Sequence, residues 1–364
     1  MYGVLAGLAT AAVAEAVRPR GGTAVLVDWT EVRKAARARL DEPATRATSL
    51  AVAEKRYRAI AAKLEKPLLD FVGGLPVGVE LPRFAAVDRE GWLDLNLNIL
   101  RRVIDPVLEQ GRVPNSLIVQ VGRAGIDRYV GFMLGFLGRR VLGQFDPQLL
   151  GAEPLADDGL YLVETNVEEW AQKADLPGED LRRWLILHEM THAWQFAAHP
   201  WLRAHMEQSL KVLLGPSRGG AAGTPVVARV AGSVAAFAGV LPAQWRVMRQ
   251  MQGTMSLVEG YSNLVMNELG AQLLPGFERL EEAYKARSSN KSVLELLILK
   301  LSGLDLKLQQ YIRGEAFAKA VYDAHGMKAL NLAWQGPDTM PRIDELSKPD
   351  AWYRRVATAP KRRR

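Results

Sequence analysis

Apolar residues recur along this chain mostly three and four positions apart, which is the helical period. That pattern predicts helices over 3–18, 28 to about 40, 47–72, 92–109 and 124–143 in the first half. In the second half it predicts 178–198, 201–214, 226–240, 243–271, 276–287, 292–301, 304–324 and 350–357. Short strands are expected at 24–27, 83–87 and 159–163, where the pattern alternates instead. Asp28-Trp29-Thr30-Glu31 has the spacing of a capping box, and Gly73-Gly74 closes the 47–72 helix. Pro106 is expected to kink the 92–109 helix. Gly125, Gly131, Gly135 and Gly138 would let a second helix approach theirs closely. The stretch 215–225, rich in Gly, Pro and Ser, reads as a loop inside a helical region.

Composition narrows the class. With 364 residues and 48% hydrophobic content the chain can bury a sizeable core. It has no cysteine, which excludes disulfides, thiolate metal sites and a thiol nucleophile. Of the net charge of +7, four charges are Lys361, Arg362, Arg363 and Arg364. The remainder is close to balance, and no basic run interleaves with aromatics, so nucleic acid is not an expected partner. The uncharged runs Tyr2–Ala14 and Val230–Leu241 fall short of the about 20 residues that span a bilayer. No Lys or Arg precedes Arg18, so the first run lacks the positive start of a signal peptide, and a cytoplasmic location is expected.

The chemistry concentrates in His188-Glu189-Met190-Thr191-His192. Residues four apart on a helix share a face, so both imidazoles can reach one ion. Glu189 stands beside that ion, where a carboxylate can take a proton from water. The chain has only five histidines, so this pairing is not what composition alone would give. Leu181, Trp184, Leu185 and Phe196 place the motif on the buried side of an amphipathic helix. A third ligand is needed. His199 and His205 lie nearby, but Gln195 and Ala198 stand where a metzincin needs Gly and His. Glu259, a lone acid in the apolar segment Met255–Met266, is the best candidate, because a buried carboxylate needs a partner. Asn263, one turn on, could hydrogen-bond a ligand histidine's outer nitrogen.

At these residues the chain resembles the zincin-like hydrolase family, whose members are poorly characterised. Some are associated by gene neighbourhood with biosynthesis of a deazaflavin coenzyme. The resemblance rests on Leu187–His192 with Gln195-Phe196 and Pro200-Trp201-Leu202. It extends through Val141–Pro147, Leu257–Met266, Leu304–Gly314 and Pro349–Trp352, from about Asp28 to Val356. Two positions depart from the family pattern: His often stands where this chain has Tyr261, and Asp where it has Asn263.

The resemblance implies an α+β, predominantly helical fold, with a zincin-like core and a small sheet beside the motif helix. It implies Zn2+ held by His188, His192 and Glu259 in the gluzincin manner. One zinc position would stay open for water, and Glu189 would accept that water's proton during attack on an amide or peptide bond. Tyr261, His199 and Arg139 are unranked donors for the resulting oxyanion. The expected organisation is an apolar helix and linker over 1–27, one zincin-like domain over 28–358 and a basic tail over 359–364. An inactive zincin-shaped binding protein is the alternative function.

Overall fold

The structure is a computed structural model and describes residues 27–40, 47–110, 117–146, 159–214, 242–289 and 304–358. The helices expected over 3–18, 226–240 and 292–301, nearly all of the 24–27 strand, the 215–225 loop and the basic tail lie outside the described residues.

In chain order the described elements are α1 (Trp29–Arg37), α2 (Ala47–Val72), β1 (Phe84–Val87), α3 (Arg89–Gln110), α4 (Leu117–Gly138), β2 (Gly143–Phe145) and β3 (Leu160–Val163). They continue with α5 (Glu164–Lys173), α6 (Gly178–Ala198), α7 (Pro200–Leu214), α8 (Pro242–Leu273), α9 (Phe277–Ser289), α10 (Leu304–His325), α11 (Met327–Leu330) and α12 (Pro349–Ala357). Two 3-10 turns, Asn331–Gln335 and Pro337–Thr339, separate α11 from α12. The chain divides into two compact units. The first holds 1–44, 89–141 and 216–239; the second holds 45–88, 142–215 and 240–364.

In the first unit, Asp28 caps α1 by accepting from the backbone N–H of Thr30 and Glu31. The reciprocal half of the predicted capping box comes from elsewhere: Asp28 N–H donates to Asp127 Oδ1 of α4, at 3.0 Å. Gly131 and Gly135 lie against α1 so closely that a Cβ on them would stand 2.6 Å from Ala35 Cβ and 2.7 Å from the Ala36 carbonyl oxygen. Gly138 meets Leu40 and Trp92 in the same way, whereas Gly125 has nothing within 4 Å. Three of the four glycines therefore serve the close helix approach that their spacing predicted.

In the second unit, β3 is the centre of a three-stranded sheet in the order β1-β3-β2. It pairs parallel with β1 (Phe84↔Leu160) and antiparallel with β2 (Gly143↔Leu162). β3 is buried at all four positions, as a central strand covered on both faces must be. Helix α6 runs through the core beside this sheet. The sequence placed its motif on the buried side of an amphipathic helix, but nearly every residue from Leu181 to Phe196 is buried. Its polar groups are met internally. Thr191 Oγ1 donates to the Leu187 carbonyl at 2.7 Å, and Arg182 pairs with Glu164, the first residue of α5. Trp194 Nε1 donates to Gly74 O at 2.6 Å, tying α6 to the end of α2. There Gly73 and Gly74 adopt positive φ and turn the chain out of the helix, as predicted.

Two readings of the sequence need correction. The helix expected over 124–143 spans Leu117–Gly138, and Gly143–Phe145 is strand β2. Helix α5 was not foreseen, because it begins directly after β3 with no side-chain cap at Val163 to mark it. Among the described residues, no helix is long and apolar enough to cross a membrane.

Candidate metal centre

Helix α6 presents His188 and His192 one turn apart, and α8 packs along α6 and brings Glu259 to them. The two Nε2 atoms stand 3.1 Å apart. Glu259 Oε2 lies 3.7 Å from His188 Nε2 and 3.5 Å from His192 Nε2. Donors at about 2.0–2.1 Å around a tetrahedral ion stand about 3.3 Å from one another. The three atoms thus form a triangle of the size that one such ion requires, from a donor set suited to zinc. Among the described residues this is the one group of three such side chains close enough to hold a metal.

The environment fixes which nitrogen of His192 is available. Gln195 Nε2 donates to the Val258 carbonyl at 2.9 Å, which turns its Oε1 toward His192 Nδ1 at 3.1 Å. Ser262 Oγ donates to the same carbonyl at 3.1 Å and lies 3.2 Å from His192 Nδ1. Both neighbours are therefore acceptors, so Nδ1 carries the hydrogen and the pair of electrons on Nε2 can face an ion. This corrects the role expected for Asn263. Its Nδ2 donates to Glu315 Oε2 at 3.1 Å, and the outer nitrogen of His188 is buried with no hydrogen-bond partner. Gln195 and Ser262 each follow a triangle residue by three positions, a spacing that places them on the same helical face. That signal was present in the sequence. The signal for Glu315 was not, since it reaches the site from another helix.

The charges at this place favour a cation. Burial opposes protonation of His192, yet Glu259, with help from Glu189 and Gln195, outweighs it and pushes the imidazole up to about 9. Burial also works to raise Glu259, but His192 and His188 hold that carboxyl well below its ordinary range. A metal taking this place releases the proton it displaces. Glu189 behaves differently. Burial raises its pKa, Glu259 adds to the rise, and the two histidines oppose it. No described side chain hydrogen-bonds its carboxylate. Gly143 of β2 makes room for it, since a Cβ there would stand 2.6 Å from Glu189 Oε1. Glu189 is thus a buried carboxylate held by packing, with both oxygens uncommitted and a proton affinity above the ordinary.

Tyr261, His199 and His205 are engaged outside the triangle. Tyr261 is fully buried, donates through its hydroxyl to Asn331 Oδ1 at 2.7 Å and stacks on Trp194. Arg139 belongs to the first unit. His199 is stacked on Trp334 and meets Trp194 edge-on, outside the triangle, and His205 lies near Trp201. Burial lowers the pKa of both, that of His199 to about 4. An unfolded histidine titrates at about 6.5. Between these values the unfolded chain binds a proton that the folded chain refuses, so stability falls as pH drops from about 6.5 to about 4. Denaturant titrations across that window should show this slope in the wild type. His199→Phe keeps the ring stack and should reduce the slope; an unchanged slope would place its origin elsewhere.

The model of a zincin-like metallopeptidase family matches residues 27–353. A crystal structure of a presumed hydrolase with a novel fold, from Chloroflexus aurantiacus, is similar to this chain. The two are 30% identical and superpose with a TM-score of 0.67, covering 92% of this chain and 100% of that one. No curated protein matches.

Proposed function

The chain belongs to the zincin-like metallopeptidase family, and on that premise we propose that it is a zinc-dependent hydrolase of amide or peptide bonds. The observation that carries the proposal is the triangle of His188 Nε2, His192 Nε2 and Glu259 Oε2, with Glu189 beside it. Two neutral imidazoles and one carboxylate leave a tetrahedral ion one open position, the pattern of catalytic rather than structural zinc. A zinc ion bound there supplies Lewis acidity, which polarises a carbonyl and makes water acidic.

The remaining chemistry falls to side chains of this chain. His192 is oriented by Gln195 and Ser262, so its Nε2 stays free of hydrogen. Glu259 provides the negative charge that keeps a cation in place. Glu189 takes the proton of the attacking water at its carboxylate and returns it to the leaving nitrogen, so that neither hydroxide nor an amide anion has to form unaided. Its buried setting suits that task, because burial raises its pKa and so makes the carboxylate a stronger base than an exposed one.

The first test is metal content. Protein purified without chelator should carry about one zinc per chain. His188→Ala should abolish tight binding, measured by elemental analysis and by competition with a chromogenic chelator. Wild-type affinity in that variant would refute the ligand assignment. Hydrolysis of a mixed peptide library then separates an enzyme from a zincin-shaped binding protein, for which metal is retained and no bond is cut.

A further inference from the structure

Beyond the triangle, α8 and α10 cross where Gly260 meets Gly314, with backbone against backbone. The crossing sets Glu315, the residue after Gly314, against the side of α8 one and two turns beyond Glu259. Asn263 Nδ2 donates to Glu315 Oε2 and Asn267 Nδ2 to Glu315 Oε1, both at 3.1 Å. Both donors are neutral amides. Among the described residues no Lys, Arg or His forms an ion pair with Glu315; His188 acts on it only at longer range, and Glu281 repels it. An ionised carboxylate only accepts, so both asparagines must turn their NH2 groups to it. Asn267 Oδ1 is thereby left buried with no hydrogen-bond partner. Glu315 itself is partly exposed. Tyr284 of α9 is near enough to feel the charge of both Glu315 and Glu259 and is 39% exposed.

A partly buried carboxylate held only by neutral amides, with no countercharge among the described residues, is an incomplete arrangement. What it lacks is a compact positive charge with several N–H donors. We propose that Glu315 is a subsite for an ammonium group of the substrate. The substrate class is then an amide or peptide with a free amine close to the bond that is cut. The inference deepens the hydrolase reading and rests on it for the meaning of "substrate". An ammonium brings three donors, and Glu315 keeps spare lone pairs after accepting from two amides. A charge-assisted bond there is stronger than the neutral ones already made. Glu281 adds negative charge near Glu315 and disfavours a carboxylate group there. The amine has two possible sources, the α-amine of a chain terminus or a lysine side chain.

The test uses hydroxamates, which grip zinc whether or not any bond is cut. Zinc-loaded full-length protein is titrated calorimetrically with alanine hydroxamate and its N-acetyl derivative, then with the N-acetyl-lysine and N-acetyl-norleucine hydroxamates. The ammonium-bearing member of one pair should bind at least about tenfold tighter than its neutral partner, the scale of a charge-assisted contact. Preference in the first pair identifies the α-amine as the source, and preference in the second the lysine side chain. Glu315→Gln should erase the preference, with zinc content intact and neutral probes changed by less than about threefold. The proposal is overturned if the wild type shows no preference in either pair. It is equally overturned if Glu315→Gln weakens charged and neutral probes alike, which is what a residue that merely steadies the metal would do. If the preference holds but no peptide is hydrolysed, the subsite stands and the hydrolase reading falls. Hydrolysis without the preference means the reverse.

Discussion

Gly314→Ala is expected to destabilise the second unit by at least about 3 kcal/mol, the upper range for forcing an atom into a packed interior. A Cβ built on Gly314 overlaps the carbonyl oxygen of Ser256, and one built on Gly260 overlaps the carbonyl group of Gly314. The obstacles are backbone atoms of the opposite helix, which cannot rotate aside as a side chain could. Relief would require α8 and α10 to separate along the closest part of their contact. That shift would carry Glu259 with it, because Glu259 precedes Gly260. Zinc affinity should therefore fall along with stability in Gly260→Ala and Gly314→Ala. The control is Gly122→Ala. Gly122 is exposed on α4 with nothing within 4 Å of an added Cβ, so alanine there should stabilise by about 0.5–1 kcal/mol through helix propensity. Chemical denaturation followed by circular dichroism measures all three. A Gly314→Ala protein within about 1 kcal/mol of wild type would show that the helices are not held at this distance.

The parts of the fold legible in the sequence were those set by local period and local punctuation. Helix α2 matches its predicted limits, closed by Gly73-Gly74, and α6 matches the expected 178–198. The parts missed were set by contacts distant in sequence. Strand β2 is three residues long and is separated from α4 by only four residues, so its short run shows no clear alternation; its identity comes from pairing with β3. Helix α5 exists because Val167 and Trp170 pack into the core and Glu164 meets Arg182, eighteen residues on. The same division holds at the candidate centre. The spacing of His188, Glu189 and His192 is local, and Glu259 stood out as an acid in an apolar segment. What could not be read was that Asn263 has a partner on α10, which leaves Gln195 and Ser262 to orient His192.

Glu189→Gln is expected to lower hydrolysis of any confirmed substrate by at least about 100-fold while leaving zinc bound, the usual contribution of a general acid–base group. The amide keeps the size and shape of the carboxylate and cannot take a proton from water at neutral pH. Gly143 still leaves room for it, and the residues of the triangle are untouched. Stability should remain within about 1 kcal/mol of wild type, or rise, because a buried carboxylate with no hydrogen-bonding partner among the described residues is replaced by a neutral group. The contrasting variant is Glu259→Gln. It removes the charge that holds a cation between His188 and His192, so zinc affinity should fall together with activity. The two variants separate base from ligand: one loses turnover at full metal occupancy, the other loses both. Wild-type turnover in Glu189→Gln would defeat the role assigned to this carboxylate, and loss of zinc from that variant would make it part of the metal site instead.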